Sequence, residues 1–207
     1  MTTKAFSKKE ALQFGWNTMK ANVGFFIGLL LIVWAISVIP GVLNSFITNV
    51  ALALIIALIF RLVQWFLEIG LIKISLAFAD GQKSVLPDLF SGKDLYLKYV
   101  GGTILYGLIV FGGILLLIVP GIIWSIQFFF YSYLIVEKGL GPVEALKASS
   151  AMTKGHKWEL FLFGLATLGV NLLGALCLLV GLFATVPTTL VALASIYRKL
   201  SNQHPAA

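Results

Sequence analysis

Histidine occurs twice and cysteine once in these 207 residues, and charged residues make up only 11%. A lone cysteine excludes an intrachain disulfide framework, and Cys177, set inside an apolar run, reads as a small buried apolar residue. His156 lies at a lysine-rich edge and His204 in the terminal tail, so neither has the carboxylate spacing of a metal site. No Gly-rich loop follows a strand to cradle phosphate, and no serine sits in a nucleophile elbow. The convergent groups an enzyme needs are missing, so we expect no catalytic activity and no cofactor or metal. Soluble domains carry roughly 25% charged residues. With less than half of that and 59% apolar residues, this chain cannot coat itself for water, and lipid must be its solvent.

The scarcity of charge is patterned. Residues 21–60, 99–136 and 160–197 contain no Asp, Glu, Lys, Arg or His, over lengths of 40, 38 and 38 residues. One helical crossing needs about 20 apolar residues, so each stretch is long enough to cross and return. The expected fold is an all-α integral membrane protein with six transmembrane helices arranged as three hairpins. Pro removes a backbone donor and Gly permits reversal, which places the turns at Pro40 and Gly41 and at Pro120 and Gly121. In the third stretch Gly174, Gly181 and Pro187 all qualify. Gly174 is favoured, because it follows Lys154 by the same interval that separates Pro40 from Lys20.

The basic residues test this arrangement. If each stretch crossed once, the 15 Lys and Arg would divide eight against seven between the two sides, which is no bias. Double crossing puts all of them on one face, so both termini are expected in the cytoplasm, with Lys4, Lys83, Lys147 and His204 among the cytoplasmic positions. The first 20 residues show no cleavable signal pattern, because the apolar run that follows leads into a second span. A net charge of +7 raises the question of nucleic acid, but the cations lie beside membrane spans and alternate with acids. Lys8, Lys9, Lys20, Lys98, Lys147, Lys154 and Lys157 are therefore assigned to a cytoplasmic face meeting anionic lipid headgroups, with no nucleic-acid partner.

Between the hairpins lie segments with helical punctuation. Ser7 and Glu10 have capping-box spacing, and Leu12, Trp16 and Met19 then share one face, as in a helix lying in the membrane interface. Setting Lys20, Lys98 and Lys154 in register aligns Glu10-Ala11-Leu12 with Asp88-Leu89-Phe90 and Glu144-Ala145-Leu146. The chain is thus read as one membrane domain, 1–207, made of three units at approximately 7–80, 84–138 and 142–200. Each unit is a short cytoplasmic amphipathic helix followed by a hairpin. Tyr96, Tyr99, Trp158 and Tyr197 flank the charged segments as interfacial anchors.

Few polar residues fall within the apolar stretches. Arg61, Gln64 and Glu68 lie within about 20° of one helical face and form an intramembrane polar stripe. Such a stripe either lines a solute path or marks a helix end from which Arg61 snorkels. Gln127 and Asn171 suit interhelical hydrogen bonds, Ser149 and Ser150 suit a helix surface, and Gly24 with Gly28 suits a packing face.

The run LLLIVPGII at 115–123, EKGLGPVEALKASSAMTKGHKW at 137–158, GALCLLVGLFATVP at 174–187 and Tyr197-Arg198-Lys199-Leu200 together resemble an uncharacterised family of bacterial integral membrane proteins. That family is similar to the membrane domain fused to some glycerophosphodiester phosphodiesterases. The resemblance covers roughly residues 65–200 and implies a six-helix domain in the bacterial inner membrane. It carries no mechanism, since this chain has no phosphodiesterase domain. The expected role is a homo-oligomeric scaffold or membrane-organising, curvature-generating module, with a cytoplasmic protein partner of unknown identity. A small transporter or channel using the polar stripe is the alternative.

Overall fold

The computed structural model describes residues 6–177 and 179–203; Lys4 and His204, expected in the cytoplasm, lie outside them. Among the described residues the fold is all-helical, with no strand. The helices are α1 (Lys8–Ala21), α2 (Val23–Asn44), α3 (Val50–Ala79), α4 (Tyr96–Leu116), α5 (Ile118–Gln127), α6 (Tyr131–Lys138), α7 (Pro142–Met152), α8 (Lys157–Leu176) and α9 (Leu182–Gln203). Two 3₁₀ turns, Leu86–Phe90 and Lys93–Leu95, connect α3 to α4.

Five segments are long and apolar enough to cross a membrane: Val23–Asn44, Val50–Ala79, Leu86–Leu116, Ile118–Lys138 and Lys157–Leu176. The fourth joins α5 and α6 across a break at Phe128–Phe130. Helix α9 is absent from this set, and its position explains why. It packs on α1, α2, α3, α7 and α8 and buries Thr188, Thr189, Val191, Ala192, Ala194, Ile196, Tyr197 and Leu200. A helix enclosed by other helices is not selected for the hydropathy that lipid contact demands.

Apolar burial drives little association where lipid tails are as apolar as leucine, so close backbone approach carries more of the packing. Ser7 caps α1 by accepting from the Glu10 amide at 3.3 Å. The helix then turns Ala11, Gly15 and Met19 inward at intervals of four, with the two small residues leading. A Cβ on Gly15 would overlap the Thr188 carbonyl and come within 3.1 Å of the Ala192 nitrogen, so α1 sits directly on the α9 backbone. This corrects the expected apolar face: Trp16 points outward, 43% exposed, with the Lys20 ammonium 5.6 Å from its ring.

The hairpin turns also differ from expectation in an instructive way. Helix α2 continues through Pro40 and Gly41 to Asn44. Pro40 withdraws one bond from the Ile36 carbonyl without ending the helix. The chain reverses over Ser45–Asn49 instead, where the Asn49 side chain caps α3 by accepting from the Leu52 amide at 3.1 Å. In the second hairpin the reversal is carried by Leu117, which is extended at φ −164° and ψ 147°. Pro120 falls in the first turn of α5, where its missing N–H costs nothing. Gly121 is needed for proximity: a Cβ on Gly113 would lie 2.9 Å from the Gly121 Cα, and one on Gly121 would overlap Ile114. The third hairpin repeats the device. A Cβ on Gly181 would lie 2.8 Å from the Gly174 Cα, so Gly174 marks the crossing of α8 and α9 just before the turn. Cys177, expected to be buried, is exposed there.

Helix α3 is 30 residues long and has two characters. Its first half exposes Val50, Leu54, Leu58 and Ile59, whereas Leu67, Ile69, Gly70, Ile72, Ile74, Ser75, Leu76 and Phe78 are buried. Arg61 stands where the exposed half gives way to the buried half. The main core gathers this second half with α6, α7 and α9, around Phe130, Tyr133, Leu134, Ile135, Met152, Ile196, Tyr197 and Leu200.

Candidate functional site

Arg61, Gln64 and Glu68 lie together on α3. Arg61 Nη1 lies 3.7 Å from Glu68 Oε1 and donates to Gln64 Oε1 at 3.4 Å, while its guanidinium stands 5.2 Å from the Trp65 ring centroid. The second Glu68 oxygen accepts from the Tyr99 hydroxyl of α4 at 2.9 Å. Sequence reading placed Tyr99 as a membrane anchor, but its ring is buried and its hydroxyl ties two helices through Glu68. Both charges keep partial exposure, 50% for Arg61 and 38% for Glu68. The stripe is a closed ion pair on the flank of the bundle, at the level where α3 passes from exposed to buried.

A second charged cluster joins parts of the chain that sequence reading treated separately. Arg198, near the end of α9, donates to Asp80 Oδ2 at 2.6 Å and pairs with Glu137 at the end of α6. The neighbouring Tyr197 hydroxyl donates to the same Glu137. Lys199 reaches Glu10 of α1 at 3.3 Å. Four helix ends, those of α3, α6 and α9 together with the start of α1, are thereby clamped. The only signal in the sequence was the adjacency of Tyr197, Arg198 and Lys199 at the close of an apolar run.

A third polar group surrounds the break between α5 and α6. Residues 128–130 interrupt the helical ladder, leaving the Gln127 carbonyl free to accept from Ser149 Oγ at 3.1 Å and Thr153 Oγ1 at 2.9 Å. Ser149 also accepts from the Phe130 amide at 3.1 Å, and the Gln127 side chain donates to Ser150 at 2.8 Å. Ser149 is therefore fully buried, not a helix-surface residue. Lys157, assigned to the headgroup face, donates instead to Gln127 Oε1 at 2.6 Å. Lys98 likewise donates to the Gly139 carbonyl at 2.6 Å, at the left-handed turn (φ 64°) between α6 and α7. Lys9, Lys20, Lys147 and Lys154 stay exposed, and Lys8 is partly so.

Between α4, α5, α8 and α9 lies a cavity of about 390 Å³, walled by Tyr106, Phe129, Phe161, Leu168, Leu190 and Leu193 among others. Asn171, expected to bond between helices, does so by donating to Thr189 at 3.3 Å. His156 pairs with Glu159 at 3.5 Å. Among the described residues no group of three His, Cys, Asp or Glu is placed to hold a metal.

In the first 3₁₀ turn, ahead of the charge-free stretch that begins at residue 99, Asp88 accepts from Ser84 at 2.6 Å and from the Val85 amide at 2.9 Å. These bonds, with Lys73 nearby, hold its carboxyl below the usual range.

The chain is 29% identical over 137 residues to three uncharacterised mycobacterial proteins: Mb2590 of Mycobacterium bovis, and MT2637 and Rv2560 of Mycobacterium tuberculosis. The match covers 66% of this chain but 42% of each relative, so the chain spans less than half the length of those proteins. No solved structure matches it. None of these relatives carries a phosphodiesterase name, and the matches show no link to phosphodiesterase fusions. A family of proteins of unknown function, DUF975, matches residues 42–204, and the chain belongs to that family.

Proposed function

We propose that this protein is a non-enzymatic, multi-pass scaffold or membrane-organising module of the bacterial inner membrane, assembled as a homo-oligomer. The observation that carries this reading is the closure of its charges. Arg61 is neutralised by Glu68 on its own helix while Glu68 ties α3 to α4 through Tyr99, and Arg198 with Asp80 and Glu137 ties α9 to α3 and α6, so these charges close on the protein rather than lining a passage. In this reading α9 is the sixth span, enclosed by the others, and both termini face the cytoplasm. In the same reading the three units at 7–80, 84–138 and 142–200 are each a leading segment followed by a hairpin, with leading segments that differ in length and packing. Exposed Lys9, Lys20, Lys147 and Lys154 then meet anionic headgroups and make the cytoplasmic side the bulkier one. The kinship to phosphodiesterase-fused membrane domains belongs to the same proposal.

The alternative is a small transporter or channel, favoured by one observation: Arg61 and Glu68 keep partial exposure on a common face. Gentle detergent extraction followed by mass measurement, with solute and proton leak in liposomes, separates the two. A multimer without leak above empty liposomes supports the scaffold. A compact monomer, or a leak abolished by Glu68→Ala at unchanged particle size, overturns it.

A further inference from the structure

A groove of about 440 Å³ runs along the boundary of α3 and α4, floored by Ile59, Leu62, Val63 and Phe66, with Tyr96 and Lys93 at its end. The four α3 residues recur at the helical spacing that makes one continuous strip. Tyr96 is fixed across it, donating to the Leu62 carbonyl at 3.0 Å with its ring 6.1 Å from Phe66. The groove therefore has a rigid polar end and an apolar length leading into the lipid-exposed half of α3. Lys93 is exposed and its side chain makes no hydrogen bond or ion pair among the described residues, whereas Lys73 and Lys98 beside the same segment each hold a backbone carbonyl. An unpaired ammonium at the polar end of an apolar trough matches one amphiphile: a negatively charged headgroup with a hydrocarbon chain.

We propose that the α3–α4 groove is a binding site for one anionic phospholipid. Its phosphate sits on Lys93, and one acyl chain lies along Ile59, Leu62, Val63 and Phe66. This rests on the reading that the basic end of the protein meets lipid headgroups, and it assigns that contact to a single built site. Arg61, on the adjacent face of α3, is already paired with Glu68, which leaves Lys93 as the selecting charge.

The test is native mass spectrometry of the full chain released from mixed phosphatidylglycerol and phosphatidylcholine vesicles of identical acyl composition. One juxtamembrane cation favours an anionic lipid by about five-fold. Wild-type protein should retain a lipid enriched about that much in phosphatidylglycerol over the vesicle ratio. Lys93→Ala should bring the ratio back to that of the vesicle, Leu62→Trp should lower retention of both lipids, and Lys83→Ala, at an exposed lysine outside both the groove and the headgroup face, should behave as wild type. Lys93 is exposed, so its alanine variant folds even where Leu62→Trp does not. Enrichment unchanged in Lys93→Ala, or equally lost in Lys83→Ala, overturns the proposal. Oligomer mass read in the same spectra tells this failure from that of the scaffold: a lost preference at unchanged mass concerns the groove alone.

Discussion

Replacing Arg198 by alanine tests the clamp that gathers the helix ends. In the native protein its guanidinium pairs with both Asp80 and Glu137, and the side chains of the three residues are 26%, 36% and 23% exposed. Two unit charges near a protein surface attract by about 4 kcal/mol at 4 Å before solvation is counted. Fully exposed pairs net at most about 1 kcal/mol, and breaking fully buried ones costs about 3–5 kcal/mol. This cluster lies between, and it is doubled, so Arg198→Ala should destabilise the fold by about 2 kcal/mol. Most of that loss comes from leaving Glu137 beside a Tyr197 hydroxyl with no cation. The scaling for domains of 150–250 residues converts the loss to a fall of about 4–8 °C in melting temperature.

The assay is thermal unfolding of the full chain in mild detergent, followed by circular dichroism, for Arg198→Ala, Glu137→Gln and the double variant. Because the two side chains share one network, their effects should not add. The double variant should recover part of the loss, with a coupling of about 0.5–3 kcal/mol. Added salt should narrow the gap between wild type and Arg198→Ala. A loss below about 0.5 kcal/mol, or strictly additive single effects, would show that these contacts do not hold the ends together.

Other substitutions probe separate steps of the same reasoning. Gly121→Val should cut the yield of folded protein several-fold in membrane fractions, because its branched side chain overlaps Ile114 at the α4–α5 crossing. Pro120→Ala alone should leave yield near wild type, since the first helical turn needs no N–H partner there. Gly15→Leu should lift α1 from α9 and expose residues 8–21 to protease under conditions where the wild type resists cleavage. Asp88→Asn should matter by pH. The folded carboxyl is depressed, so its contribution is present above the unfolded value of about 3.9. It is lost as pH falls through the lower folded value, and the stability gap between wild type and Asp88→Asn should be widest near neutrality and close in acid.

Much of the architecture was written in the absence of charge. Residues 21–60 take in α2 and the start of α3, 99–136 most of α4 with α5 and most of α6, and 160–197 most of α8 and α9, because a buried or lipid-facing ion is so costly that its absence maps the apolar environment directly. Turn positions were less legible. Pro40 and Gly41 carry the conventional signals, yet the chain turns at Ser45–Asn49, where Asn49 supplies a cap that a proline cannot. The contacts among Arg61, Gln64 and Glu68 could be read from spacing alone, since the three share one helix. Tyr99, Arg198 and Ser149 could not, because their partners lie 31, 118 and 22 residues away in sequence and single-helix periodicity carries no information about which helices meet.

The apparent repeat shows how an alignment of three segments can have a local cause. Glu10, Asp88 and Glu144, matched by setting three lysines in register, each stand third in their helical segments. Asp88 accepts from the Val85 amide and Glu144 from the Gly141 amide at 3.1 Å, each satisfying an N–H that the helix start leaves open. Glu10 follows Ser7 at the same interval and turns its carboxylate to Lys199 instead. An acid three residues after a cap, followed by apolar residues, is what any helix start beside a membrane needs. The segments themselves diverge: the first is a 14-residue helix, the second a pair of 3₁₀ turns, the third an 11-residue helix. Their packing diverges as well, on α9, α3 and α6 respectively. The acid in each triplet is accounted for by the chemistry of helix initiation, without shared descent of the three units. What the three hairpins share is architectural, a helical pair reversed beyond the reach of charge, and in the second and third the pair closes on two glycines packed across the turn.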